Sequence, residues 1–153
     1  MNPPLISNIA IQALTEGNLQ RARGFLGHDY TLKGIVVHGS HVGRTLGFPT
    51  ANIELTKDSL PLYLPNGVYA VKADVNRKRY DAMTNIGIRP TLDGKKLTIE
   101  THLFEFDGDL YGRKMAILFL SRLRDERKFN DLHELVHQLE LDKKEAMNLI
   151  RFY

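Results

Sequence analysis

The stretch "GVYAVKADV", Gly67 to Val75, alternates its residues in the way that is typical of a β-strand with one buried face. Successive side chains of a strand point to opposite sides, so every second residue shares a face. One face carries Tyr69, Val71, Ala73 and Val75. Apolar residues of this kind favour strands, and the stretch therefore predicts a strand that contributes to the core.

Five further β-like stretches surround it: "TLKGIVVHG", "ANIEL", "RYDAMTNIG", "KLTIETHLFEF" and "KMAILFLSRL". The last three are separated by "RPTLDGK" and "DGDLYGR", which are rich in turn-forming residues. Short β segments with no helical crossover between them predict an antiparallel barrel or sandwich rather than a doubly wound sheet.

Helices are predicted on both sides of the β region. Apolar residues recur at helical spacing within 6–14, and Asn18 is placed to cap a second short helix that Gly27 ends. Near the C-terminus, Asp131 begins a D-x-x-E capping signature, and Asp142 begins another. The second signature predicts a new helix start at Asp142.

The composition limits the function classes. A chain of 153 residues fits one domain, and its net charge of +3 suits an anionic partner without identifying one. The densest basic stretch is "RKR", Arg77 to Arg79, which favours a solvated hairpin over a nucleic-acid surface. No apolar run approaches the roughly 20 residues of a membrane span, and the first residues do not form a signal-peptide pattern. We therefore expect a soluble, cytoplasmic protein with no nucleic-acid or membrane partner.

Several familiar chemistries are missing from the sequence. There is no cysteine, and hence no disulfide, thiolate metal site or cysteine nucleophile. No P-loop, dinucleotide-binding, nucleophile-elbow or H-E-x-x-H motif occurs. His133 and His137 have i, i+4 spacing, for which a solvated helix face is favoured over a metal site.

The stretch "GRTLGFPTAN", residues 43–52, is a candidate phosphate site. Gly43 and Gly47 would let the backbone approach a polyanion, and Arg44 would add a charged hydrogen bond. The alternative is a glycine-rich turn followed by a short strand, and the local residues by themselves favour that alternative.

Two residues of this stretch, Thr50 and Asn52, also suit a metal. Pro49 stiffens the bend, and Thr50 and Asn52 are two residues apart, which places both side chains on one face of an extended segment. A hydroxyl and an amide oxygen are hard neutral ligands that fit Mg²⁺ retaining water and phosphate oxygens. The alternative is that both make ordinary turn hydrogen bonds.

A possible general base lies in "TIETHLFEF". Strand alternation predicts one face with Glu100, His102, Phe104 and Phe106, and the opposite face with Leu97, Ile99, Thr101 and Leu103. A carboxylate beside an imidazole and aromatic rings suits proton abstraction. A charged residue on the solvated side of a strand is the commoner alternative. Downstream, "LRDERKF", residues 123–129, is either a ligand-covering loop or a solvated connector.

Taken in this order, the stretches resemble the riboflavin kinase family from about Tyr30 to Ile150. The resemblance is carried by "HVGRTLGFPTANI", "LPNGVYAV", "TNIGIRPT", "IETHLFEFDGDLYGR" and "LRDERKFNDLHEL". It implies a six-stranded antiparallel Greek-key barrel with a C-terminal helix. It also implies transfer of the ATP γ-phosphoryl group to the 5′-hydroxyl of riboflavin, with Mg²⁺, to give FMN and ADP.

The resemblance also assigns roles to individual residues. Glu100 matches the catalytic base, and Thr50 and Asn52 match the magnesium and phosphate ligands. Other positions near the nucleotide are Gly39, Gly43, Arg44, Gly47, Pro49, Leu103 and Tyr111. Positions that close over the flavin are Arg124, Arg127 and Phe129.

The first residues resemble the linker between the two modules of a bifunctional bacterial enzyme. Ile6 and Ser7 fit the linker motif, whereas Asn8 and Gln12 depart from it. We therefore divide the chain into a helical segment, 1–29, and a kinase barrel domain with C-terminal helices, 30–153. We expect a kinase module that is a monomer by itself or a part of a larger bifunctional enzyme. We do not expect this chain to make FAD.

Two alternatives from other classes remain. A non-catalytic flavin- or nucleotide-binding barrel would keep the scaffold without turnover, but Thr50, Asn52 and Glu100 argue against a decayed site. A barrel that binds single-stranded nucleic acid would need aromatic stacking platforms beside basic residues. The chain has no tryptophan and no such pattern, so this alternative ranks last.

Overall fold

The computed structural model describes residues 5–39 and 46–153. The strands are β1 Tyr30–Val37, β2 Ala51–Leu55, β3 Gly67–Val75, β4 Lys78–Thr91, β5 Gly94–Leu103 and β6 Lys114–Arg124. The helices of the described residues are α1 Asn8–Thr15, α2 Leu19–Leu26 and α3 Leu132–Ile150. None of these helices is long and apolar enough to cross a membrane.

The six strands close into a barrel. Their order is β1-β2-β5-β4-β3-β6, every neighbouring pair is antiparallel, and β1 also pairs with β6. Closure gives every strand a neighbour on both sides, although β2 and β5 pair at only two positions. Barrel closure is how small antiparallel sheets avoid edge-to-edge association. The prediction of a six-stranded antiparallel barrel is confirmed, and the sandwich alternative is excluded.

The barrel interior is apolar because alternate residues of each strand point inward. Tyr69, Val71, Ala73 and Val75 all belong to this core, as their spacing predicts. The interior also holds one polar pair, in which the hydroxyls of Thr84 and Thr101 lie 2.8 Å apart and satisfy each other. The core therefore contains little that a substrate could bind, and chemistry is left to the outer face.

The N-terminal helices begin and end where the sequence predicts. Ser7 caps α1, Asn18 caps α2 by accepting a hydrogen bond from the Arg21 amide at 3.1 Å, and α2 ends at Gly27. Buried side chains of both helices join the same core as the strands: Ala13, Leu14, Leu19 and Ala22.

Helix α3 packs against the outside of the barrel. It contacts β3, β4 and β6 and creates a second apolar cluster, which contains Phe48, Ala70, Met83, Phe104, Leu120, Ala146 and Ile150. Asp131 caps α3 as predicted, because its carboxylate accepts a hydrogen bond from the Glu134 amide at 2.9 Å. The outer face of the sheet is thus half covered, and a cleft remains beside the helix.

The predicted second helix start at Asp142 is wrong. α3 continues without interruption from Leu132 to Ile150, and Asp142 is buried within it. Its carboxylate binds the side chain of Arg124 instead of a backbone amide. A D-x-x-E pattern cannot distinguish a helix cap from a buried ion pair, because the partner of the ion pair, Arg124, lies on another element.

The predicted position of Phe106 on the face of Glu100 is also wrong. β5 ends at Leu103, and Glu105 adopts a left-handed backbone conformation with φ 54°, which breaks the alternation. Phe106 consequently packs against the interior cluster and Tyr80, with ring centroids 5.3 Å apart. Leu97 keeps its predicted face but lies exposed on the extension of the β4–β5 hairpin.

The predicted turn "RPTLDGK" is shorter in the structure. β4 runs to Thr91 and β5 begins at Gly94, with Arg89 paired to Lys96 between them. The hairpin therefore extends beyond the barrel, and this extension brings Arg89 to the outer face beside β5.

His102 fastens the segment before β2 to the outer face of β5. Its Nδ1 lies 2.7 Å from the carbonyl oxygen of Pro49, and its ring contacts those of Phe48 and Phe104. Burial lowers the pKa of the His102 imidazole, and the charge of Lys143 lowers it further, against the opposing effect of the Pro49 carbonyl. The ring is therefore neutral at pH 7.

This burial predicts a pH-dependent stability. A folded-state pKa below the ordinary value of about 6.5 means that the unfolded chain binds the proton more readily. We expect the melting temperature to fall as the pH decreases below about 6.5 and to change less above it.

The measurement is calorimetry between pH 5 and 8 on the wild type and on His102→Gln, which keeps a hydrogen-bonding group. The variant should lose this part of the pH dependence. If the melting temperature of the variant falls as steeply with decreasing pH as that of the wild type, the pH dependence arises from other groups.

Candidate active site

Three polar side chains lie in a row across the outer face of the barrel. Asn52 of β2 is opposite Glu100 of β5, which in turn is opposite Asn85 of β4. Directly opposed residues in antiparallel strands have Cβ atoms about 4.5 to 5.5 Å apart and share a face. The neighbours Thr84 and Thr101 point inward, so the row faces outward.

Glu100 is half-enclosed and fixed in place. Its side chain is 20% exposed, and its Oε1 lies 2.8 Å from Nη2 of Arg89. This is the only ion pair of Glu100 among residues 5–39 and 46–153. The contact uses one carboxylate oxygen, and Glu100 lines a cleft in which a hydroxyl could approach the other.

The first cleft, here named the helix-side cleft, lies between β4, β5, residues 124–129 and α3. Its volume is about 240 Å³. Its apolar walls include Phe48, Met83, Phe129, Leu135 and Leu139, and its polar walls include Asn85, Arg89 and Glu100. The combination suits a flat, largely apolar ligand that carries a polar chain.

The second cleft, here named the turn-side cleft, lies beside the connection between β5 and β6. Its volume is about 190 Å³, and Gly39, Pro49, Thr50, Leu103 and Tyr111 are among the residues that line it. The ring of Tyr111 stacks on that of His38, with centroids 3.8 Å apart and planes inclined by 15°. Thr50 lines both clefts and forms part of the wall between them.

Gly39 makes room for Asn52. A Cβ atom added at Gly39 would overlap the side-chain amide of Asn52, so any larger residue would displace that amide. Asn52 lies in a groove shared with Gly39 and Arg89, beside the two clefts rather than inside them. The hydroxyl of Thr50 and the amide oxygen of Asn52 are hard donors, and as a set they fit Mg²⁺.

The residues predicted to cover a flavin meet at the helix-side cleft. Arg124, Arg127 and Phe129 all line it. The Phe129 ring lies 5.9 Å from the guanidinium carbon of Arg124 and 5.0 Å from that of Arg127. Both arginines are also held by α3, through Asp142 and Gln138.

Residues 125–129 contribute Glu126, Arg127 and Phe129 to the lining of this cleft. The carboxylate of Glu126 lies over Gly87 of β4, where an added Cβ would overlap its Oε1. One side of the segment therefore rests on α3 and the other on the sheet. The segment is therefore attached to both elements, and its role as a ligand-covering loop stays a prediction.

The remaining predicted residues have different outcomes. Gly43 and Arg44 lie outside the described residues. Gly47 is described and has a left-handed φ of 85°, but it is not among the residues lining either cleft. His133 and His137 are exposed on α3, and no group of three or more His, Asp or Glu side chains in 5–39 and 46–153 could hold a metal.

Sequence reasoning missed four residues of the site: Asn85, Arg89, Gln138 and Asp142. Arg89 was placed in a turn, and its contact with Glu100 requires the β4–β5 register. Asp142 does carry a signal, because it interrupts the apolar helix face that contains Leu135, Leu139 and Ala146. An acid at such a position predicts a buried partner.

Known proteins are similar to this chain over most of its length. The family model of flavokinase, described as riboflavin kinase, matches residues 26–150. The bifunctional riboflavin kinase/FMN adenylyltransferase of Bacillus subtilis is 46% identical over 138 residues, which are 88% of this chain and 43% of that protein. The protein of the same description from Escherichia coli K12 is 41% identical over 143 residues, 92% of this chain and 45% of that protein.

Two solved structures are similar. The riboflavin kinase from Trypanosoma brucei has a TM-score of 0.59 and 31% identity and covers 81% of both chains. A Streptococcus pneumoniae structure described as a macrolide-efflux protein has a TM-score of 0.83 and 37% identity, over 94% of this chain and 47% of that one. The chain thus spans about half the length of the curated relatives it matches. Because the family match covers most of the 153 residues, the chain belongs to the riboflavin kinase family.

Proposed function

We propose that this chain is an ATP-dependent riboflavin kinase, which transfers the γ-phosphoryl group of ATP to the 5′-hydroxyl of riboflavin. The products are FMN and ADP. The observation that carries the proposal is the position of Glu100 in the helix-side cleft, with Thr50 in the wall that this cleft shares with the turn-side cleft. Family membership supports the same reaction.

The helix-side cleft is assigned to riboflavin. An isoalloxazine ring is flat and uncharged, and it fits between the Phe129 ring and the apolar side chains of Met83 and Leu139. Guanidinium groups such as that of Arg127 also stack on aromatic systems. The polar wall at Asn85 and Glu100 then faces the hydroxylated side chain of the ligand.

The turn-side cleft is assigned to ATP. Tyr111 and Leu103 would provide apolar contacts for a base, Gly39 and Pro49 also line this cleft, and Thr50 lines both clefts. Gly43 and Arg44 are proposed to cover the phosphates, and Gly47 to shape that loop. With both ligands bound, the γ-phosphate and the 5′-hydroxyl would meet near Thr50.

In this mechanism Glu100 is the general base. The 5′-oxygen attacks the γ-phosphorus, its proton passes to the carboxylate of Glu100, and the bond to the β–γ bridging oxygen breaks so that ADP leaves with the electron pair. Arg89 holds Oε1 of Glu100 and so limits the rotation of the carboxylate. Phosphoryl transfer depends mainly on such positioning and on charge neutralisation.

Thr50 and Asn52 are proposed to hold Mg²⁺ together with phosphate oxygens. When bound, the ion would neutralise charge on the transferring phosphoryl group. Gly39 contributes indirectly, because it leaves the space in which the Asn52 amide lies.

The wider setting is also a proposal. We propose that residues 1–29 form a linker-like helical segment and 30–153 the kinase domain, acting as a monomeric module or within a larger bifunctional enzyme. Because ATP is the donor, the cytoplasm is the compartment that the proposal assigns.

A direct assay tests the proposal. The protein is incubated with riboflavin, ATP and Mg²⁺, and FMN is followed by chromatography, with Thr50→Ala as a control that should lose most of the activity. A non-catalytic flavin- or nucleotide-binding barrel would bind riboflavin or ATP without forming FMN. Omitting the metal should abolish turnover in the wild type.

Replacing Glu100 with glutamine tests the base. The amide keeps the size of the side chain but cannot accept the proton, so kcat should fall by about 100-fold or more. Riboflavin and ATP binding should stay within about threefold of the wild type, because neither pocket loses an apolar wall. A variant that forms FMN at near wild-type rates would remove Glu100 from this role.

Gly39→Ala tests the position of Asn52. The added methyl group displaces the amide, so we expect kcat to fall by about tenfold or more, with a higher Mg²⁺ requirement. Gly24→Ala is the matched control, because no atom lies within 4 Å of its added Cβ.

The control should be as active as the wild type and slightly more stable, since alanine favours a helix by about 1 kcal/mol over glycine. Equal activity of Gly39→Ala and Gly24→Ala would contradict the role given to Asn52.

A further inference from the structure

We propose that Asp142, a buried acid in the middle of α3, is the positioning residue that fixes the Phe129 ring as a wall of the helix-side cleft. This inference rests on the proposed function, because riboflavin is taken as the ligand of that cleft. Asp142 itself does not line the cleft.

The carboxylate of Asp142 is enclosed and fully engaged. Its side chain is 1% exposed. Arg124 binds it through one edge of the guanidinium group, with Nε donating to Oδ1 at 2.8 Å and Nη2 to Oδ2 at 2.7 Å. Nε2 of Gln138 donates a further hydrogen bond to Oδ1 at 2.9 Å. A bidentate pair of this kind fixes the plane of the arginine as well as its position.

Two chains of contacts lead from Asp142 to the same ring. The first passes through Arg124, whose guanidinium carbon lies 5.9 Å from the centre of the Phe129 ring. The second passes through Gln138, whose Oε1 accepts a hydrogen bond from Arg127 at 3.0 Å, and Arg127 lies 5.0 Å from the ring. Two cations that depend on one acid thus contact the Phe129 ring.

The backbone of the covering segment depends on the same pair. Nη1 of Arg124 donates a hydrogen bond to the carbonyl oxygen of Asp125 at 3.0 Å, at the start of the segment. The orientation of Arg124 therefore sets where residues 125–129 leave β6 and where the ring of Phe129 arrives.

Stability alone does not account for an acid at this position. Aspartate is a poor helix former, and burying its charge opposes folding. The neighbours on this face of α3 are apolar, among them Leu139 and Ala146. Apolar residues in place of both Asp142 and Arg124 would pack there at least as well, whereas the orientation of Arg124 requires a carboxylate.

The principal test is Asp142→Asn, measured by riboflavin binding without ATP and by steady-state kinetics. We expect the riboflavin Kd, from quenching of flavin fluorescence, and the riboflavin KM to rise about tenfold, which corresponds to loss of one well-placed aromatic contact. The KM for ATP should stay within about twofold, because the turn-side cleft shares no wall with α3. Unchanged riboflavin affinity in the folded variant overturns the proposal.

Two controls separate positioning from general destabilisation. Glu145→Gln removes one carboxylate from an exposed position of the same helix and should leave the riboflavin Kd unchanged. Ala146→Gly weakens the packing of α3 against the barrel and should lower the melting temperature without raising the Kd. If Ala146→Gly raises the riboflavin Kd as much as Asp142→Asn does, Asp142 has only a structural role.

A double-mutant cycle tests the route through Phe129. Phe129→Leu should raise the riboflavin Kd by itself, and adding Asp142→Asn should then change it by less than about twofold. Fully additive effects would contradict action through the ring. Should Asp142→Asn fail to fold, Gln138→Met removes only the branch to Arg127; a riboflavin Kd raised about threefold is expected, and an unchanged one overturns the proposal.

The wild type separates this inference from the proposed function. A wild-type protein that neither binds riboflavin nor forms FMN refutes the function and the inference together. A wild-type protein that forms FMN, combined with an unaffected Asp142→Asn variant, refutes the inference alone.

Discussion

The structure depends on the short seam between β2 and β5. These strands pair through only two residue positions, Ala51 with Thr101 and Asn52 with Glu100. The first pair belongs to the inner face and the second to the outer face. Adjacent residues of these strands therefore contribute to the core and to the candidate site in turn. A register shift of one residue would turn Glu100 inward, out of the helix-side cleft, and turn Thr101 to the outer face.

Keeping the interior apolar has a consequence for the site. A barrel filled with side chains has no room for a flavin, so the ligand clefts must be built on its surface and at its turns. The outer face of the strands forms only one side of the helix-side cleft. The opposite side comes from later in the chain, where residues 124–129 and α3 add Phe129 and Leu139. The C-terminal helix therefore forms a wall of the helix-side cleft and also packs into the second apolar cluster.

The sequence predicts those features that depend on neighbouring residues. The strand of Tyr69 and Val71, the caps at Asn18 and Asp131 and the closed antiparallel architecture follow from local periodicity and turn chemistry. Contacts between distant elements cannot be inferred from such local patterns. The Arg89–Glu100 pair requires the strand register, and the Arg124–Asp142 pair requires the docking of α3.

The same distinction explains why the two halves of the site differ in predictability. Thr50 and Asn52 lie in one short motif, so their relation can be inferred from spacing alone. Phe129 contacts Arg124 and Arg127, which are its neighbours in the sequence. These arginines are held by Asp142 and Gln138 of α3, and the sequence alone does not reveal such contacts between separate elements. A cleft walled by such a chain depends on the two α3 residues that hold these arginines, Asp142 and Gln138, whereas Thr50 and Asn52, within the part of the protein that the structure describes, make no contact of this kind with α3. Under the proposed function, affinity for the flavin and chemistry at the phosphate are therefore expected to be separable.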